Sequence, residues 1–141
     1  MKTVWIASLV AAAALGSGCS HMKSMKAPGY ATMLAAPAGI TSSGTGMGSF
    51  DFDEATMVLN YRVEHMGLTG PATAAHIHGP AAPGANAGVV VPFAAAASPI
   101  VGTATLTAAQ AADMKAGKWY VNVHTAANPG GEVRGQIMLK P

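Results

Sequence analysis

From Met57 to Val63 apolar and polar side chains alternate: Met57, Leu59, Tyr61 and Val63 fall on one face, and Thr56, Asn60, Arg62 and Glu64 on the other. That period predicts a half-buried β-strand, ended by Gly67, Gly70 and Pro71. A shorter strand over Thr73 to His78 puts Thr73, Ala75 and Ile77 on one side and His76 with His78 on the other. Val89 to Phe93 and Val101 to Leu106 predict two more, each bounded by Gly or Pro, and strands begin near Tyr30. Near the C-terminus Trp119, Val121 and Val123 alternate with Tyr120, Asn122 and His124, while Val133, Ile137 and Leu139 alternate with Arg134, Gln136 and Met138. A hairpin turning through Thr125 to Gly131 sets Val123 against Val133 and Trp119 against Ile137 in the core. Its other face then pairs His124 with Glu132 and Asn122 with Arg134, and Gly135 makes room for Val121. A slip of one residue would turn Trp119 and the valines to water.

One short helix is expected near residues 107–116. Thr107 and Gln110 have capping-box spacing, Gly117 suits the left-handed cap, and Lys115 suits the negative end of the helix dipole. Leu106, Ala111 and Met114 would face inward, making the helix a cover for one end of a sheet. The whole pattern predicts an all-β protein, an antiparallel sandwich or barrel with Greek-key connections and this single helix.

Residues 1–18 read differently. Lys2 and the apolar run from Val4 to Leu15 form a signal peptide, too short to span a bilayer, which takes about 20 apolar residues. The segment LGSGCS resembles the bacterial lipobox, although Gly16 stands where an aliphatic residue is usual, so ordinary cleavage stays open beside lipidation of Cys19. Cys19 is the only cysteine and has no intrachain partner; a lipid anchor would give an exported thiol its purpose. Residues 19–28 then form a tether and 29–141 the folded domain, placed on the periplasmic side of a bacterial membrane or at the cell surface. Eight basic and six acidic side chains leave a charge of +2, and one of the basic residues is Lys2 in the leader. A nearly neutral chain lacks the electrostatic footprint of nucleic-acid binding. The charged fraction of 10% is low beside the usual value of about 25%.

Chemistry concentrates where His76, His78 and His124 could converge. Two histidines at i and i+2 on a strand project to one side about 6–7 Å apart, and a third from another strand would complete a set of nitrogens suited to copper or zinc. Glu132 could then fix the His124 tautomer or serve as a fourth ligand, and Asn122 shares that face. In the alternative reading each imidazole hydrogen-bonds a carbonyl in the loops 79–88 or 125–131 and simply braces irregular chain. His65 continues an apolar face and reads as a satisfied histidine at a strand end. His21, Met22 and Met25 form a soft-ligand cluster or mere tether composition, and Met33, Met57, Met114 and Met138 read as packing. The carboxylates show no acid and base pairing, no serine lies in a nucleophile motif, and the glycines of TSSGTGMGSF lack a phosphate-loop lysine, so catalysis is not expected.

Three stretches carry a family resemblance: GSFDFDEATMVLNYRVEHMGLTGP (Gly48 to Pro71), AAHIHGPAAPGANAG (Ala74 to Gly88) and LTAAQAADMKAGKWYVNVHTAANPGGEVRGQI (Leu106 to Ile137). They resemble the CHRD domain, the module named after chordin and also found in microbial exported proteins. The resemblance implies the same all-β class and a binding or structural module whose partner, a protein or a small ligand, is unknown. The His-Ile-His strand is also similar to one in copper-zinc superoxide dismutase. The present chain lacks that enzyme's disulfide cysteines and full ligand set, so its activity does not carry over.

Overall fold

The computed structural model describes residues 29–141, so the expected signal peptide, Cys19, His21, Met22 and Met25 lie outside the described residues. Its strands are β1 (Gly29–Ala35), β2 (Thr45–Asp53), β3 (Val58–Met66), β4 (Ala72–His78), β5 (Val89–Pro92), β6 (Ile100–Thr105), β7 (Tyr120–Thr125), β8 (Val133–Gln136) and β9 (Met138–Leu139). The helix α1 (Ala108–Lys115) precedes β7. All the strands join one antiparallel sheet, ordered β5-β4-β7-β8-β1-β2-β3-β6 with β9 on β1, that curls into a nearly closed barrel. The pairs β3–β6 and β4–β7 join strands far apart in the chain, so connections cross the barrel rather than running simply up and down.

Alternation places the core. Phe50 and Phe52 of β2, Leu59, Tyr61 and Val63 of β3, Ala75 and Ile77 of β4, and Val121 and Val123 of β7 all point inward and are buried. Trp119, fully buried, and Ile137 meet through the Ile137 N–H to Trp119 O bond of 2.8 Å, and Val123 pairs with Val133 in the register the sequence pattern demands. The helix carries its capping box, Thr107 Oγ1 accepting the Gln110 N–H at 3.2 Å and Gln110 Oε1 the Thr107 N–H at 2.9 Å. Leu106, Ala111 and Met114 are buried beneath it, and Lys115 pairs with Glu54.

Several expectations shift. Met57 has a left-handed φ of 59°, so the strand begins at Val58 and Met57 closes the preceding turn. Gly135 does pair with Val121, but the room it makes is on the other side: a Cβ there would collide with the Met33 carbonyl, where β8 meets β1. Met114 fills the core and Met57 packs against it, whereas Met33 and Met138 are 73% and 54% exposed and fill nothing. Tyr120 and Asn122 sit on the outward face of β7 yet are buried, because the loops after β4 and β7 fold over that wall.

Candidate metal centre

His76 and His78 share the outer face of β4, and His124 stands on the same face of neighbouring β7. In this register His124 lies opposite Ala74 and His76 opposite Asn122, making His76 and His124 diagonal neighbours. Their rings meet, His76 Nδ1 being 3.2 Å from His124 Nε2. The His78 ring lies 5.5 Å from that of His76 and 6.1 Å from that of His124, centroid to centroid. One nitrogen from each residue falls within 4.8 Å of the other two. A metal bound tetrahedrally at about 2.0–2.1 Å holds its nitrogens about 3.3 Å apart, so one pair already fits and the third ring needs roughly an ångström of movement.

Backbone carbonyls aim two of the rings. His78 Nδ1 is 3.0 Å from Ala87 O, and His124 Nδ1 is 2.9 Å from Pro129 O. A carbonyl only accepts, so both Nδ1 atoms carry protons, and in the neutral ring Nε2 then carries the lone pair. His78 Nε2 is buried and has no hydrogen-bond partner among the described residues. His124 Nε2 accepts from His76 Nδ1; for His76 Nδ1 to bind a metal its proton must move to Nε2 of the same ring. Burial, then the neighbouring His124 and His78, push the His76 imidazole below its usual value. Burial also lowers His78; the Ala87 bond opposes this, while His124 and Arg134 act with it. Both shifts favour the neutral ring, the form that binds metal.

Two further side chains, not singled out from sequence, build this wall. The Tyr120 ring stacks on His78 at 5.1 Å and 9°, and the Arg134 guanidinium lies 3.8 Å from the Tyr120 centroid. Tyr120 Oη accepts the Ala87 N–H at 3.0 Å, and Arg134 reaches Asn86 Oδ1 at 3.0 Å and Ala85 O at 2.8 Å. Together they pin the loop whose Ala87 carbonyl orients His78. Their outward positions beside the histidine strand were the available signal.

Glu132 is not beside His124. Its N–H bonds Val123 O at 2.8 Å although Val123 pairs with Val133, so two residues crowd against one and the parity of the strand is lost. The carboxylate turns inward, fully buried, and accepts from Ser42 Oγ (2.5 Å), Thr69 N (2.8 Å), Thr69 Oγ1 (2.7 Å), Thr125 Oγ1 (2.6 Å) and Asn128 Nδ2 (3.3 Å). Burial pushes this carboxyl up, but the bonds from Ser42, Thr125 and Thr69 outweigh it and hold the group at about 2. Asn122 likewise serves the turn and not a histidine, its Nδ2 donating to Gly130 O at 3.1 Å. His65 is a satisfied strand-end histidine, with Nε2 2.7 Å from Ala96 O.

The fold and the site define an all-β barrel domain that carries a loop-braced imidazole cluster on its wall. A family model described as the CHRD domain matches residues 30–137, most of the chain. The protein belongs to the CHRD domain family. No curated protein and no solved structure matches it.

Proposed function

We propose that this chain is an exported CHRD module, anchored by a lipid on Cys19, that holds a metal ion on His76, His78 and His124. The observation that carries the reading is the convergence of the three rings, one nitrogen of each lying within 4.8 Å of the others, while His78 Nδ1 and His124 Nδ1 are oriented by backbone carbonyls. Imidazole sets of this kind take copper or zinc, and the ordinary order of divalent affinities favours copper(II). Three protein ligands leave a fourth position to water or a small ligand. Tyr120, Arg134 and the two carbonyls are the supporting shell.

Metal analysis of the purified protein, paired with His76→Ala, His78→Ala and His124→Ala variants, tests the reading. Stoichiometric copper or zinc in the parent, lost in each variant, is expected. A parent that binds neither metal, with variants that merely melt earlier, would leave the imidazoles as braces and the domain as a binding or structural module for an unknown protein or small ligand. Mass spectrometry of the membrane fraction addresses Cys19, where a diacylated or triacylated N-terminus is expected; an unmodified N-terminus at another residue removes the anchor.

A further inference from the structure

The sheet stops short of closing on itself, and its two edges are built differently. At one edge β5 is blunted: it has only 4 residues, ends on Pro92, and its register against β4 slips between Ile77 and His78. At the other, β6 carries none of these guards. Its 6 residues, IVGTAT, hold no charge and no proline, and they pair with β3 from Val58↔Thr105 to Val63↔Ile100 without a slip.

The parity of that ladder decides which backbone groups are left over. Leu106 N–H reaches Met57 O at 2.8 Å, and this pair continues the β3–β6 register, so Leu106 is a hydrogen-bonded position and so are Ala104, Gly102 and Ile100. Val101, Thr103 and Thr105 therefore aim their N–H and C=O groups away from β3. No loop answers them among the described residues. The chain that crosses the seam between β5 and β6 is tied elsewhere, Phe93 N–H to Ala75 O at 3.2 Å and Ser98 Oγ accepting the His65 N–H at 3.0 Å. The side chains of the same three residues are exposed, Val101 by 66%. A row of unpaired donors and acceptors on a regular, uncharged strand is a template for another strand.

We propose that β6 is a self-association edge, pairing antiparallel with β6 of a second copy of this chain about a two-fold axis at Thr103. The strand is its own complement, and the choice of a second copy rests on that. With Thr103 opposite Thr103, Val101 falls opposite Thr105, so the three outward-looking positions exchange bonds with one another. Threonine against threonine is a favourable cross-strand pair, and on the inner face Gly102 meets Ala104 and Ile100 meets Leu106. The charges of β3, Arg62 and Glu64, stand one strand behind the join and away from the axis, so like charges do not face each other.

Thr103→Pro is the discriminating change, because the N–H it deletes points away from β3. The barrel keeps its ladder while the join loses a donor from each copy. The exported chain is purified with Cys19→Ser, which removes the acylation site and any stray disulfide, and its mass is followed by sedimentation equilibrium as concentration rises. A reversible dimer is expected. Thr103→Pro should weaken it by at least about tenfold, with an unchanged melting temperature at dilutions where both chains are monomeric. In the same Cys19→Ser background Thr103→Cys should give a disulfide-linked dimer under mild oxidation, since opposed hydrogen-bonded residues stand about 5.5 Å apart at Cα, within disulfide reach. Asn60→Cys, one strand back, should not link. This second pair of variants decides the matter should proline disturb the strand. A chain that stays monomeric at every concentration leaves the edge to a foreign strand or to none and overturns the proposal. So does a dimer that Thr103→Pro leaves intact, or equal linking of the Thr103→Cys and Asn60→Cys chains.

Discussion

Two polar clusters grow from the same hairpin connection, residues 126–131, and they are finished in opposite ways. Around Glu132 both carboxylate oxygens are filled by donors from Ser42, Thr69, Thr125 and Asn128. Around His124 the carbonyl bond uses one ring nitrogen and His76 meets the other, while His78 keeps a buried nitrogen with no partner among the described residues. A buried polar group left without a partner costs on the order of 1–3 kcal/mol, so folds tolerate few. Saturation marks the first cluster as architecture. Incompleteness, together with convergence, marks the second as a place for a ligand.

The comparison breaks most decisively at Glu132. Glu132→Ala strands the donors gathered on it and should lower the melting temperature more than any single histidine change; a smaller drop would mean the cluster is ornamental. The carboxyl is held at about 2 against an ordinary 4.5, so its stabilisation is complete above the ordinary value and disappears as pH falls through the lower one. Thermal melts of the parent should therefore weaken across that acid window, and those of Glu132→Gln should lack that component.

At the histidines the expected effect falls on binding rather than on folding. Saturating copper at about a thousand times Kd should raise parent stability by about 4 kcal/mol, with no such gain in His124→Ala, read by calorimetric melting with and without metal. Because burial and neighbouring groups lower His76 and His78 from the ordinary imidazole value of 6.5, proton competition with the metal at these two rings should set in below that value. Metal affinity measured against pH would contradict this if it already declined above neutrality. A weaker effect is expected from Arg134→Leu, which touches no proposed ligand atom. Loosening residues 85–87 should cost about 10-fold or more in metal affinity with little change in melting. Smallest of all, Asn128→Ala removes the longest of the Glu132 bonds, 3.3 Å, and should cost about 0.5–1.5 kcal/mol.

Period-2 alternation was enough to read β3, β4, β7 and the facing of the three histidines, since side-chain direction in a strand depends only on parity. The hairpin register followed for the same reason, and the helix from its caps. Parity is also where the reading failed. The crowding of Glu132 and Val133 against Val123 resets it by one residue, and nothing in GGEVRG announces that. Alternation also says which wall a residue faces but not what covers the wall. Tyr120 and Asn122 lie buried under loops rich in Ala, Gly and Pro, whose conformation has no periodic signal. The Ala87 and Pro129 carbonyls that orient the rings belong to those same loops. Backbone acceptors carry no residue identity, so the orienting half of the site was invisible in the sequence.

Glu132 also bears on the order of events as the chain is made. Its partners Ser42 and Thr69 lie 90 and 63 residues earlier, in the connections after β1 and β3. A polypeptide emerging N-terminus first carries those hydroxyls idle until the final hairpin appears, and contacts of such long sequence separation form slowly. The barrel is thus fastened by nearly its last-synthesised part, and a chain shortened before Glu132 has no means of locking.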